Sequence, residues 1–186
     1  TERKFLIDAI YSSKSITASQ AKELATKLYS SLSKYQKKDY TYIYKSTEIT
    51  RTNNKNFFYN IDLITEAIKS KKKITFNYIY YDINGAIKMR KNGYKYIVSP
   101  YYLINNFGKY YLVASNNNYN NHVIYRLDYL TNIEIINQAI KPIEEIESLG
   151  NNFNINKYIN EHIYLFGGDV ITAKILIKPN KERNGI

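Results

Sequence analysis

Residues 74–81, Ile-Thr-Phe-Asn-Tyr-Ile-Tyr-Tyr, decide the fold together with the Asn84-Gly85 dipeptide that follows them. Every second residue from Ile74 to Tyr80 is apolar or aromatic, which is the spacing of a β-strand that buries one face. Asn-Gly is the dipeptide that a type I′ hairpin turn prefers. We therefore predict a strand that turns back on itself here.

Further short strands are predicted downstream, with no helix between them. They lie at 94–99, 101–106, 109–115, 122–129 and 132–136. Pro, Gly and Asn residues separate these runs, as in tight turns. Five or six short strands with such turns are typical of a small antiparallel barrel. With the helices described next, this predicts the α+β class.

Helical spacing of apolar residues predicts helices over 3–12, 18–33 and 60–71. Thr17 and Gln20 fit a capping box for the second helix, and Asn60 fits an N-cap for the third. The first two helices have the spacing of a helix-turn-helix. However, no compact recognition helix follows in 34–59, which favours a helical linker or dimerisation element.

The last part of the chain is predicted to be less regular. A loop is expected over 143–153, a short helix over 154–162 and a strand over 170–177. A single strand cannot form a sheet. We therefore interpret 164–186 as the start of a truncated further domain, and because the chain begins at Thr1 we expect it to be a piece of a longer protein.

Composition is that of a globular protein with a strong excess of positive charge. The chain has 186 residues, 44% of them hydrophobic, and a net charge of +11. A basic surface is compatible with nucleic-acid binding, although the excess is spread out except for runs at 71–73 and 88–91. No apolar run approaches the ~20 residues of a membrane span, so we expect a cytoplasmic protein without membrane contact.

The sequence offers little catalytic chemistry. It has no cysteine, and its two histidines, His122 and His162, are not spaced as metal ligands. It also lacks a nucleophile elbow, a P-loop and a dinucleotide-binding glycine motif. We predict no enzymatic activity, no metal site and no cofactor.

A polar, aromatic cluster on the predicted strands is the best candidate site. Arg126 and Asp128 are two residues apart and so share a strand face. Arginine with aromatic rings suits an anionic or nucleotide-like ligand. Alternatively, each tyrosine packs as an ordinary strand residue and Arg126 forms a structural ion pair.

Four segments in order carry a resemblance to a known family. They are Ile-Thr-Phe-Asn-Tyr at 74–78, Val-Ser-Pro-Tyr-Tyr-Leu at 98–103, Lys-Tyr-Tyr-Leu-Val-Ala at 109–114 and Tyr-Arg-Leu-Asp at 125–128. The set resembles a WYL domain over about 60–140, with Tyr110, Tyr111 and Leu112 in place of the Trp-Tyr-Leu triplet. More loosely, 1–59 resembles the helical linker and 154–178 the lead into the C-terminal extension of such proteins.

The resemblance implies an Sm/SH3-like barrel in a bacterial transcriptional regulator. It implies that the barrel senses a nucleotide-like or nucleic-acid ligand, that the protein is a homodimer, and that DNA is bound by an N-terminal domain outside this chain. By matched position the ligand-facing residues are Tyr96, Ser99, Tyr111 and Arg126. The supporting residues are Tyr78, Tyr80, Tyr110, Tyr125, Asp128 and His122.

Two positions depart from the family pattern. Val123 and Tyr129 stand where family members often have a basic residue, and Lys95 and His122 are the nearest substitutes. Loss of two cations is expected to weaken phosphate binding. The departures therefore predict a pocket that is altered or no longer used.

The resulting domain prediction has three parts: a linker or dimerisation region at 1–59, a WYL-like barrel at 60–140, and a connector with a truncated extension at 141–186. The predicted function is ligand sensing and dimerisation in a transcriptional regulator. Two alternatives stay open, a barrel that binds single-stranded DNA or RNA directly and a purely structural dimer module.

Overall fold

The computed structural model describes residues 2–39, 51–116, 119–150, 153–162, 165 and 171–176. The helices are α1 (Glu2–Ser12), α2 (Ala18–Ser30), α3 (Lys34–Asp39), α4 (Phe57–Lys69) and α5 (Ile155–Glu161). The strands are β1 (Lys72–Tyr81), β2 (Ile87–Met89), β3 (Lys95–Asn106), β4 (Lys109–Asn116), β5 (His122–Arg126) and β6 (Leu130–Ala139). None of the described helices is both long enough and apolar enough to cross a membrane.

The strands form one antiparallel sheet in the order β2-β1-β3-β4-β5, with β6 also paired to β1. Within the described residues β5 pairs only with β4, and a 3₁₀ turn at Leu127–Tyr129 leads from β5 to β6. The sheet is therefore not closed by hydrogen bonds between β5 and β6. This confirms the predicted α+β class, whereas the Sm/SH3-like barrel is not confirmed.

Of the three clusters of buried side chains, one lies between α1 and α2 and the other two lie on opposite faces of the sheet. The first of these two contains Phe76 and Leu112 and is covered by Ile64 and Ala67 of α4. The second contains Tyr111 and is covered by residues after β6 such as Ile146 and Leu149. Neighbouring residues such as Tyr111 and Leu112 fall into different clusters because side chains alternate across a strand.

Specific hydrogen bonds hold the helical hairpin of α1 and α2, and one of them joins it to the sheet. Thr17 and Gln20 form the predicted capping box at the start of α2. Just before it, the Ser15 hydroxyl donates to the Gly108 carbonyl in the β3–β4 turn. The Arg51 guanidinium donates to the Tyr11 and Ser13 carbonyls at the end of α1. The α1–α2 turn is thus fixed against the sheet.

Two predicted local details were wrong. The helix predicted over 60–71 is α4, which begins at Phe57, after Asn56. Asn60 is therefore not its N-cap but is buried, and its side-chain amide donates to the Leu130 carbonyl at 3.4 Å. Between β1 and β2 the Asp82 amide donates to the Ala86 carbonyl, and this pair closes a three-residue hairpin loop at 83–85. Gly85 adopts φ +76° in this loop, which is characteristic of a three-residue hairpin rather than a two-residue type I′ turn.

The ends of several predicted elements also moved. The predicted strands at 94–99 and 101–106 form one strand, β3, with an irregular register between Pro100 and Tyr102. β5 ends at Arg126 rather than at 129, and a short helix, α3, was not predicted. Residues 171–176 have no regular secondary structure, and Ile171 is 82% exposed, because no described strand pairs with this segment. The rest of the predicted 170–177 strand lies outside the described residues.

Candidate ligand-binding site

A cavity of about 900 Å³ lies where the ends of β1, β4 and β5 meet the 3₁₀ turn after β2. Its lining combines four cationic side chains, four tyrosines and three aliphatic side chains. These are Arg90, Lys91, Lys109, Arg126, Tyr78, Tyr80, Tyr111, Tyr129, Ile79, Ile124 and Leu165. None of these described lining residues is acidic, so the cavity is suited to an anion that carries an apolar or planar part.

Arg126 is held in place from two sides. Its Nε and Nη2 donate to the two carboxylate oxygens of Asp128, at 3.0 and 2.5 Å. Its Cζ lies 4.2 Å from the centre of the Tyr129 ring, in a cation–π contact. Burial opposes its charge, but the hydrogen bond and the charge of Asp128 outweigh burial, so the pKa of Arg126 is raised above its ordinary value. Arg126 therefore stays cationic.

The other cations of the cavity have no carboxylate partner among the described residues. Lys109 is half-buried in β4, and burial followed by repulsion from Arg126 lowers its pKa. Lys91 lies in the 3₁₀ turn at Arg90–Gly93, with its Nζ 5.6 Å from the Tyr94 ring centre. Positive charge is thus concentrated at the cavity and only partly offset by Asp128, and an anionic ligand would relieve the remaining repulsion.

The tyrosines of the cavity combine ring faces with hydroxyl groups. The Tyr78 hydroxyl accepts a hydrogen bond from the Arg126 backbone amide at 3.4 Å, and its ring lies 5.8 Å from that of Tyr129. Burial raises the pKa of the Tyr78 phenol, so it stays neutral and available as a hydrogen-bond donor. Tyr80, in contrast, is 44% exposed at the rim. The rings are therefore positioned for stacking as well as for polar contact.

Four of the predicted site residues meet at this cavity. Arg126 and Tyr111 face each other in the β4–β5 register, and Tyr78 and Tyr80 approach from β1. Asp128 lies beside them as the partner of Arg126. The expectation that Arg126 forms an ion pair with Asp128 and the expectation that it faces aromatic rings are both met.

The other predicted residues lie elsewhere. Tyr96 and Tyr125 pack in the core around Phe76, with ring centres 5.5 and 5.0 Å from it. Ser99 is fully buried, and its hydroxyl accepts the Lys141 amide at 2.9 Å. Tyr110 points away from Tyr111 and packs edge-on against Phe57 at 5.4 Å. These four side chains contact the packed interior rather than the cavity.

Neither of the suggested substitute cations lies at the cavity. Lys95 pairs with Glu134 at 2.6 Å on the surface. His122 Nδ1 is 2.7 Å from the Ser148 hydroxyl, and its ring packs against Tyr158 of α5. Burial and then the nearby His162 lower the pKa of His122, which favours the neutral ring.

The cavity cations Arg90, Lys91 and Lys109 were missed as site residues. Two signals could have identified them. Arg90 and Lys91 belong to the basic run at 88–91, and Lys109 is two residues before Tyr111 on the same strand and therefore on the same face. Tyr129 was interpreted as the loss of a cation, yet its ring supports the guanidinium of Arg126.

A second cavity, of about 530 Å³, adjoins the first. The two share Lys109, Arg126 and Tyr129. Its remaining lining comes from the β1–β2 hairpin, from Asp128 and from the segments around Lys14 and Arg51. Across the residues that the structure describes, no group of three or more His, Cys, Asp or Glu side chains could hold a metal ion.

Comparison with a family model supports the resemblance over the sheet. Residues 59–135 match the family model described as WYL domain. Among solved structures, proteasome accessory factor B/C (PafBC) of Arthrobacter aurescens is similar with a TM-score of 0.38 and 17% sequence identity, over 47% of this chain and 12% of that chain. The chain thus spans about one eighth of the length of that relative. No curated protein matches the sequence.

Proposed function

We propose that this chain is the ligand-sensing part of a bacterial transcriptional regulator, and that its larger cavity binds a nucleotide-like or oligonucleotide ligand. The observation that carries the proposal is the convergence of four cations and four tyrosines, with no acidic lining residue among those described, on one cavity of about 900 Å³. Cations suit phosphate groups and tyrosine rings suit bases. The WYL match over 59–135 supports the regulatory role.

In this role the chain senses and does not catalyse. The side chains of the cavity bind and orient the ligand and neutralise its charge. The proposed consequence of binding is a shift in the position of the N-terminal helices, which would carry the DNA-binding domain of the full protein. A homodimer in the cytoplasm, with two such domains spaced for a two-fold operator, belongs to the same proposal.

The decisive experiment measures binding of a fluorescently labelled thymidine tetranucleotide by anisotropy, for the chain as it is and for two variants. Lys109→Ala removes an unpaired cation of the cavity, so we expect the affinity to fall roughly fivefold to tenfold. The slope of log affinity against log salt should also fall by about one. Lys22→Ala removes an exposed lysine of α2 and is the matched control, with no expected change.

Equal losses in the two variants would contradict a site at the cavity and would indicate nonspecific attraction to the net charge.

A series of oligonucleotides of increasing length separates this proposal from direct binding of single strands. The exposed rings of Tyr80 and Tyr94, the latter beside Lys91, favour that alternative. If affinity stops rising once the oligonucleotide is long enough to fill the cavity, ligand sensing is supported. Affinity that keeps rising with length supports a strand-binding surface. If no nucleotide shifts the melting temperature, a structural dimer module is supported instead.

A further inference from the structure

The smaller cavity lies between the helical hairpin and the sheet, and cations from both border it. Lys14 and Arg51 come from the N-terminal region, and Lys109 and Arg126 come from the sheet. The other described lining residues are uncharged except for one carboxylate. They are Thr52, Asn53, Tyr81, Gly85, Tyr129 and Asp128. Segments far apart in the sequence thus place four positive charges around about 530 Å³.

The existing contacts leave most of this charge uncompensated. The single carboxylate, Asp128, is already paired with Arg126. Arg51 donates to neutral backbone carbonyls, which accept its hydrogen bonds but do not cancel its charge. Neither Lys14 nor Lys109 forms an ion pair with a carboxylate among the described residues. Burial, then Arg126 and to a smaller extent Lys14 lower the pKa of Lys109, and the attraction of Asp128 offsets only part of this effect. An anion between the two lysines would relieve this repulsion.

The Lys14 segment is also the place where the helices are attached to the sheet. The Ser15 hydroxyl binds the Gly108 carbonyl, one residue before Lys109. On the other side, the Thr52 amide donates to the Lys14 carbonyl at 3.2 Å, next to the contacts of Arg51 with the end of α1. Any group that binds Lys14 and Lys109 together therefore bridges the α1–α2 turn and the sheet directly.

We propose that the smaller cavity is a second, adjoining anion-binding site, in which Lys14 and Lys109 hold one phosphate-sized oxyanion and so fasten the α1–α2 turn to the sheet. The oxyanion is a free phosphate or a terminal phosphate of a ligand that extends from the larger cavity, since both cavities share Lys109 and Arg126. The site goes beyond the proposed function and does not depend on it. It supplies a physical route from occupancy to helix position.

The test is a titration with inorganic phosphate, at constant ionic strength, of protein whose lysines carry ¹³C-methyl labels. Signals of Lys14 and Lys109, assigned with Lys→Arg variants, should shift and saturate together, while the signal of exposed Lys22 should not. Lys14→Ala should weaken phosphate binding roughly threefold to tenfold, and Lys22→Ala should leave it unchanged. Shifts that are equal and unsaturated at all lysines would overturn the proposal.

A second measurement tests whether bound phosphate holds the α1–α2 turn against the sheet. Phosphate should slow amide hydrogen exchange in 13–16 and 51–54 of the chain, and the effect should be lost in Lys14→Ala. Exchange that is unaffected by saturating phosphate would refute the coupling.

The two proposals fail in different ways. If thymidine tetranucleotide does not bind but phosphate still shifts Lys14 and Lys109, the proposed function fails and this site stands. In the opposite case, the tetranucleotide binds at the larger cavity, but phosphate does not shift the signals of the two lysines and its binding does not depend on Lys14. Then the phosphate site is refuted and the proposed function stands. Adding a 5′-phosphate to the tetranucleotide separates the two sources of the oxyanion, because only a ligand-borne phosphate would gain affinity through Lys14.

Discussion

The two faces of the β4–β5 pair carry similar side chains and use them differently. Tyr125 lies on one face, where α4 and the rings of Phe76 and Tyr96 enclose it. Arg126, the next residue, lies on the other face opposite Tyr111 and lines a cavity. The difference indicates that local packing, rather than residue type alone, decides which side chains of this strand pair line a cavity.

Phe76→Ala should have the largest effect, because it removes a fully buried ring from the enclosed face. Loss of such a ring costs about 3–5 kcal/mol of unfolding free energy, from lost burial and the cavity that remains. Urea denaturation measures this loss. The matched control is Tyr80→Ala on the same strand, where a 44% exposed ring at the cavity rim should cost much less stability. Similar losses in both variants would contradict the comparison.

The next effect concerns the ionisation of Tyr125. Burial, followed by the neighbouring Tyr96 and Tyr78, raises the pKa of Tyr125 from its ordinary value of 10.0 to about 12. Well below pH 10 the phenol is protonated in both the folded protein and the unfolded chain. Between pH 10 and 12 the unfolded chain releases this proton while the folded protein keeps it, so stability falls by about 2–3 kcal/mol as the pH rises.

Tyr125→Phe should remove this part of the pH dependence. Unfolding free energies measured at pH 8 and at pH 11 should therefore differ less for the variant than for the unchanged protein. Tyr35→Phe, which alters an exposed ring in α3, is the control and should keep the full difference. An unchanged pH dependence in Tyr125→Phe would mean that the enclosed face does not suppress ionisation.

Asp128→Asn should lower stability less than the changes above, and it should raise rather than lower the affinity for the ligand. The variant weakens a partly buried, two-point ion pair with Arg126, which should cost about 1–2 kcal/mol in urea denaturation. It also removes the negative charge beside the cavities, so affinity for the thymidine tetranucleotide should rise about threefold. A fall in affinity would show instead that Asp128 mainly positions Arg126, and would contradict a simple charge balance.

Much of this arrangement could be predicted from local patterns. Alternation over 74–81 and the spacing of apolar residues in α2 depend on neighbours in sequence, and both elements formed as expected. The proximity of Arg126, Asp128 and Tyr111 was also predictable, because strand pairing and a two-residue spacing bring such side chains together. These features need no knowledge of how distant segments pack.

Other features depend on distant segments and could not be predicted in this way. Tyr96 and Ser99 were assigned to the ligand by matched position, but α4 and the chain around Lys141 enclose them. Similarly, nothing near Lys14 in the sequence indicates that its turn reaches Gly108. The predicted barrel is another case, since closure requires pairing of β5 with β6, and the Leu127–Tyr129 turn leads the chain away from it.

The smallest effect is expected at Lys95, the cation that the sequence suggested as a substitute at the site. Its Nζ pairs with Glu134 on the open surface, where both side chains are at least half exposed and solvent screens the attraction. Lys95→Ala should therefore change neither the urea midpoint nor the tetranucleotide affinity measurably, although it removes the same charge as Lys109→Ala. The two lysines lie on adjacent strands of one sheet, so the pair of variants isolates position from charge. If Lys95→Ala weakened binding as much as Lys109→Ala, the position of a lysine at the cavity would have no special role in ligand binding.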